Sequence, residues 1–198
     1  MSNPGMVISK EIKRAIEEAK ELDEIARILN ADLTRVLDVS NDIIKRYKEK
    51  PDSRLLDEQE TWIRLSIRLL FTTIEATCFK LKQFALIGHQ IRNKLLDPED
   101  IKKLTEKNID GSPFFLPTAD NLKYALKMAA DSVDKKYQIE YGKEWGIFLK
   151  LLERLNRLTH PKKKSDLAVS PADQNDAADT GIWFGKILRG LTDTIHGI

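Results

Sequence analysis

The sequence predicts an all-α protein, a helical bundle preceded by an N-terminal helical hairpin. Three observations carry that prediction. Apolar residues recur at intervals of three and four along most of the chain. The prolines fall at the ends of those periodic segments, several beside residues that cap helices. No run alternates apolar and polar residues with the period of two that a half-buried strand needs, and no internal repeat is visible.

From Ser9 to Leu29, the residues Ile12, Ile16, Ala19, Leu22, Ile25, Ala26 and Leu29 form an apolar stripe among Glu and Lys, which is an amphipathic helix. Asp32 reads as the N-cap of a second, with Leu33, Val36, Leu37, Ile43, Ile44 and Tyr47 on its inner face and an end near Lys50, before Pro51. The two are expected to fold as a hairpin over residues 1–50, ahead of a bundle domain over 51–198. After a linker from Pro51 to Arg54, the most apolar helix of the chain runs from Leu56 to Leu95, with a break expected around Gly88. Asp97, Pro98, Glu99 and Asp100 have the form of a helix start: a capping carboxylate, proline at the first helical position, and acids facing the dipole. That short helix ends near Lys107. Asn108 to Pro117, with Gly111, Pro113, Phe114, Phe115 and Pro117, is the main loop. Helices follow from Thr118 to about Tyr137 and from about Glu140 to His160, the latter stopped by Pro161. Ser170, Pro171 and Asp173 form a capping box that opens a last helix through Trp183, Phe184, Ile187, Leu188 and Leu191.

At 198 residues the chain is long enough to bury a core without disulfides or metals. Its 33 Lys and Arg against 31 Asp and Glu leave a net charge of +2, so a broad electrostatic footprint for nucleic acid is absent and any RNA contact must be local. The one cysteine, Cys78, lies in an apolar run and reads as a buried thiol, which excludes a disulfide framework and a cysteine zinc site. Met1 to Lys13 has no signal-peptide core, and Arg64, Arg68 and Glu75 interrupt the longest apolar stretch, so the chain reads as cytoplasmic and not membrane-spanning. Three scattered histidines give no metal site, and there is no phosphate loop, serine elbow or cysteine nucleophile to imply a cofactor or acyl chemistry.

One segment carries the pattern of a reactive site. At about 100° per residue, Glu144 to His160 places Trp145, Phe148, Leu151, Leu152, Leu155 and Thr159 on one apolar arc. Lys150, Glu153, Arg154 and Arg157 take the other side, and Asn156 and His160, four apart, lie along the border. His160 is at the helix's C-terminal end, where the dipole favours cations, and a titratable imidazole beside two arginines suits phosphate chemistry. Lys162, Lys163 and Lys164 follow at once, as phosphate contacts or as a solvated loop.

Arg154 to His160, with five residues between, resembles the motif of HEPN domains, helical bundles whose signature is an arginine, four to six residues and a histidine, often with asparagine directly after the arginine. The resemblance implies a homodimer that binds RNA or cleaves it without metal, in a bacterial toxin–antitoxin or antiviral setting. It assigns His160 the proton transfers, arginine the charge on the transition state, and Asn156 the orientation of the histidine or a phosphate. The chain departs from the pattern at Leu155, which stands where the arginine before Asn156 is expected. On an ideal helix Arg154 points about 120° away from His160, and Arg157 is the easier partner.

Other readings compete. The N-terminal hairpin suits a noncatalytic interaction module that docks on a partner helix or on a second copy of itself. Trp145, Trp183 and the Phe114 and Phe115 loop suit a small-molecule pocket, or simply core. Arg64, Arg68, Thr72, Glu75 and Lys82 form a polar stripe on the central helix, in which Glu75 pairs with Arg68 or Lys82 or else faces the motif as a cleft acid. His89, Arg92 and Asn93 repeat the motif's residue types in reverse order near a helix end and read as a decoy. His196 is in the last three residues, where fraying is expected.

Overall fold

The structure, a computed structural model, describes residues 10–197; the expected helix start at Ser9 lies outside them, and the side chains of Ile12, Ile16 and Ala19 are likewise outside the description. It is an all-α bundle. Among the described residues there are six α-helices, α1 (Lys10–Glu49), α2 (Ser53–Ile91), α3 (Pro98–Thr105), α4 (Thr118–Asp131), α5 (Lys143–Thr159) and α6 (Pro171–His196), with a 3-10 turn at Lys164–Leu167. The only pairing of extended chain among them is an isolated bridge between Lys107 and Pro113.

The expected hairpin within residues 1–50 is instead one 40-residue helix. No Gly or Pro interrupts Lys10 to Glu49, and Asp32 spends its carboxylate on Arg35, 3.6 Å away and three residues on, rather than on a cap. The hairpin forms one element later, between α1 and α2, around the Pro51 linker. Asp52 caps α2 by accepting from the Arg54 N–H at 2.7 Å, and Lys80 pairs with Asp23 across the two antiparallel rods. Leu33 and Ile43 of α1 are buried, whereas Ile25, expected on the inner face, is 46% exposed.

α2 runs unbroken through Gly88. A Cβ there would lie 2.8 Å from both Cβ and Oγ of Ser132, so glycine is what lets α2 approach the end of α4. Asp97 caps α3 as expected, accepting from the Asp100 N–H at 2.7 Å. α4 stops at Asp131, six residues short of Tyr137, and Asp134 takes a left-handed φ of 56° that turns the chain away. α5 begins at Lys143 after Gly142. Asp173 closes the capping box of α6 by accepting from the Ser170 N–H at 2.8 Å.

The core lies where α2, α4, α5 and α6 meet. Phe148 of α5, fully buried, packs on Phe71 of α2 and Trp183 of α6 with ring centroids 5.6 and 5.4 Å apart. Burial of a side chain this size contributes about 1.5–3 kcal/mol, and it fixes α5 between α2 and α6. Trp145 and Trp183 meet within this cluster with tilted rings, centroids 5.9 Å apart, Phe114 lies under the Lys102 ammonium, and Phe115 points to solvent. The aromatic pocket considered from the sequence therefore does not form. Cys78 is fully buried, and burial pushes its thiol up to about 12. No helix among the described residues is long and apolar enough to cross a membrane.

Candidate functional site

α5 ends because Pro161 has no N–H to continue the ladder. His160 is the C-cap, with φ −125° and ψ 59°, and its N–H donates to Asn156 O at 3.0 Å. Asn156, Arg157 and His160 are exposed, as are Lys162, Lys163 and Lys164. These six residues share one end of one helix and the turn that follows it.

Arg154 is placed elsewhere. Its Nε donates to Asp173 Oδ1 at 3.0 Å, and a terminal nitrogen donates to Ala168 O at 3.1 Å. Because Asp173 is the carboxylate of the α6 capping box, Arg154 ties α5 to the start of α6 rather than facing His160. Arg157 sits on the surface, 3.5 Å from Glu153 one turn back. Such an exposed pair is worth under about 1 kcal/mol and separates readily for another anion.

Two more arginines act on the same segment from α2. Arg68 donates to Leu158 O at 2.8 Å and Arg64 to Leu167 O at 3.1 Å. Three guanidiniums thus hold carbonyls on both sides of the turn from His160 to Lys164. Inside the turn, the N–H groups of Lys162 and Lys163 donate to Asp166 Oδ2 at 2.9 and 3.1 Å, and the Lys162 bond in the first place holds the Asp166 carboxyl below its ordinary range. The lysine backbone is braced while its ammoniums stay in solvent.

A groove of about 550 Å³ opens between α2 and the last turn of α5, lined by Arg68, Thr72, Glu75, Thr118, Asn156 and Thr159 over a floor of Phe71 and Leu155. Glu75 accepts from the Thr118 hydroxyl at 3.1 Å, so it meets neither of the partners expected from its own helix and instead shares the groove with Asn156. Lys82 is buried and pairs with Glu106 at 2.9 Å. Arg68 was legible only as part of a polar stripe; nothing in the sequence marked it as lining a groove with Asn156. His89 is buried apart from this end, with both ring nitrogens lacking a hydrogen-bond partner among the described residues and Asp131 3.9 Å away. Burial, and then Lys94, holds its pKa below the ordinary value.

Chemically, the end of α5 offers amide and guanidinium donors, an imidazole open to solvent and three adjacent ammoniums, a set suited to a phosphodiester. Among the described residues no group of three or more His, Cys, Asp or Glu is arranged to hold a metal ion. No family model matches the chain, and no curated protein or solved structure is significantly similar to it.

Proposed function

We propose that this is a HEPN-like RNA-binding protein that cleaves RNA without metal at the end of α5. The observation that supports the reading is the cluster of exposed Asn156, Arg157 and His160 leading into Lys162, Lys163 and Lys164 on a turn whose backbone is already fixed. His160 takes the proton of an RNA 2′-hydroxyl as that oxygen attacks phosphorus. The leaving 5′-oxygen receives a proton from imidazolium, its own or that of a second copy, giving a 2′,3′-cyclic phosphate and a 5′-hydroxyl. Arg157 or an arginine of the groove offsets the charge on the transition state, Arg154 being committed to Asp173. The three lysines hold flanking phosphates without reading bases. A homodimer that brings two such turns to one cleft, in a toxin–antitoxin or antiviral setting, fits the same reading.

The test is cleavage of single-stranded RNA in EDTA. Wild type is expected to cut, His160→Ala to lose cutting at unchanged helicity, and Arg157→Ala to slow it. Intact RNA with every protein, together with no RNA binding, would sink the reading.

A second reading has its own support. Ile25, Ile28 and Val39 leave α1 with 46%, 47% and 39% exposure, an apolar line on a helix that packs chiefly against α2. As a noncatalytic module the protein would bind a partner through α1, and binding would survive His160→Ala while failing in Ile25→Asp with Ile28→Asp.

A further inference from the structure

We propose that the groove between α2 and α5 seats the phosphodiester, and that Arg68, from a different helix, supplies the guanidinium that Arg154 cannot. This deepens the RNA reading above and rests on it. Arg154 has two bonds that hold the fold together, to Asp173 and Ala168 O. Arg68 has one among the described residues, to Leu158 O, and no ion pair, so the rest of its donor fork is uncommitted. That one bond anchors it to the last turn of α5, two residues before His160, and it lines the same groove as Asn156.

Two donors that line the groove are left for an anionic oxygen. The hydroxyls of Thr72, Thr159 and Thr118 already donate to Arg68 O, Leu155 O and Glu75, whereas the Asn156 amide makes no side-chain hydrogen bond among the described residues, so Asn156 and Arg68 are the donors left for an anion. A planar guanidinium fork donates to two phosphate oxygens at once, as an ammonium does not. Among the described residues Glu75 is the one carboxylate lining the groove; it accepts from the Thr118 hydroxyl and stands two turns along α2 from Arg68, on the same face. An acceptor there disfavours a second phosphate and favours the amino edge of a base, so the groove fits one nucleotide unit of a single strand rather than duplex backbone.

The experiment measures affinity of full-length protein for a short single-stranded oligoribonucleotide, its 2′-hydroxyls methylated to block cleavage, at several salt concentrations. A lost phosphate contact lowers the slope of log K against log salt by roughly 0.7 for single strands, whereas a merely structural lesion weakens binding without that change. Arg68→Ala is expected to weaken binding about tenfold or more and to lower the slope. Arg68→Lys should keep the slope and recover only part of the affinity. Arg154→Ala, studied under conditions where it is folded, should leave the slope alone. Asn156→Asp, at an exposed position that does not touch Leu158 O, places a carboxylate in the seat and should abolish binding even if the Arg68 variants fold poorly. An unchanged slope in Arg68→Ala, or full binding in Asn156→Asp, would overturn the seat while leaving His160 cleavage standing. Wild type that fails to bind the strand would overturn the seat, and with uncut RNA in the cleavage assay the RNA reading as well.

Discussion

Replacing Arg154 with alanine separates a strut from a phosphate ligand. Asp173 is only 7% exposed at its side chain and Arg154 24%, so their pair is intermediate between a surface bridge, worth about 0–1 kcal/mol, and a buried one, whose breaking costs about 3–5 kcal/mol. Ala168 O loses its donor as well. Together these put Arg154→Ala at about 2 kcal/mol of destabilisation, and at roughly 2–4 °C per kcal/mol for a chain of this length, a fall of about 4–8 °C in Tm. Asp173→Ala should cost as much or more, since it also removes the acceptor for the Ser170 N–H and leaves the guanidinium unpaired. The double variant should fall well short of the sum, because each single change already breaks the shared bond. Arg157→Ala, which touches only exposed Glu153, should stay within about 0.5 kcal/mol of wild type. Urea denaturation followed by circular dichroism reads all four. If Arg154→Ala unfolds like wild type yet loses RNA, Arg154 contacts substrate and the assignment to α6 is wrong.

Other outcomes follow from single contacts. Glu106→Gln should destabilise by about 2 kcal/mol by leaving the Lys82 ammonium buried without its counter-charge, while Lys82→Met should be close to neutral; equal effects from the two in denaturant titrations would contradict this. His89 has a folded-state pKa below its unfolded value near 6.5, so the unfolded chain binds more protons as pH falls. Stability contributed by the neutral ring is therefore complete above about pH 6.5 and declines below it, and His89→Leu should flatten that decline between pH 7.5 and 5.5. Gly88→Ala gains about 1 kcal/mol of helix propensity but drives a methyl into Ser132, for a net loss of about 1–2 kcal/mol that Ser132→Gly partly restores; a rise in Tm for the single variant would refute the close approach.

What the sequence revealed was local. Asp97 and Ser170 with Asp173 announce helix starts within four residues of themselves, and both starts stand where their chemistry puts them, whereas Asp52 caps α2 at Ser53, inside the stretch that reads as a linker. Asp32 misled for the same reason: a capping residue type in mid-helix is recognised only once its carboxylate is seen engaged by Arg35. The end of α4 was missed because Ser132 to Tyr137 has no proline, and the turn depends on a left-handed Asp134 that apolar spacing does not encode. At the candidate site, the exposed face of α5 could be read from its period, but the partners could not. Asp173 is 19 residues beyond Arg154, and Leu158 is 90 beyond Arg68, so which arginine is bound and which is available depends on how α2, α5 and α6 pack.

The three arginines on Leu158 O, Leu167 O and Ala168 O make the lysine turn part of the same cooperative unit as the helices it joins. A ligand that grips this turn cannot let go of it without α2, α5 and α6 feeling the change, so occupancy is reported by the melting of the whole molecule. At a hundred times its Kd such a ligand adds about 2.7 kcal/mol to the folded state. That is a shift of roughly 5–10 °C, large enough for a thermal screen of short RNAs of different sequence to pick out the preferred strand before any cleavage is seen.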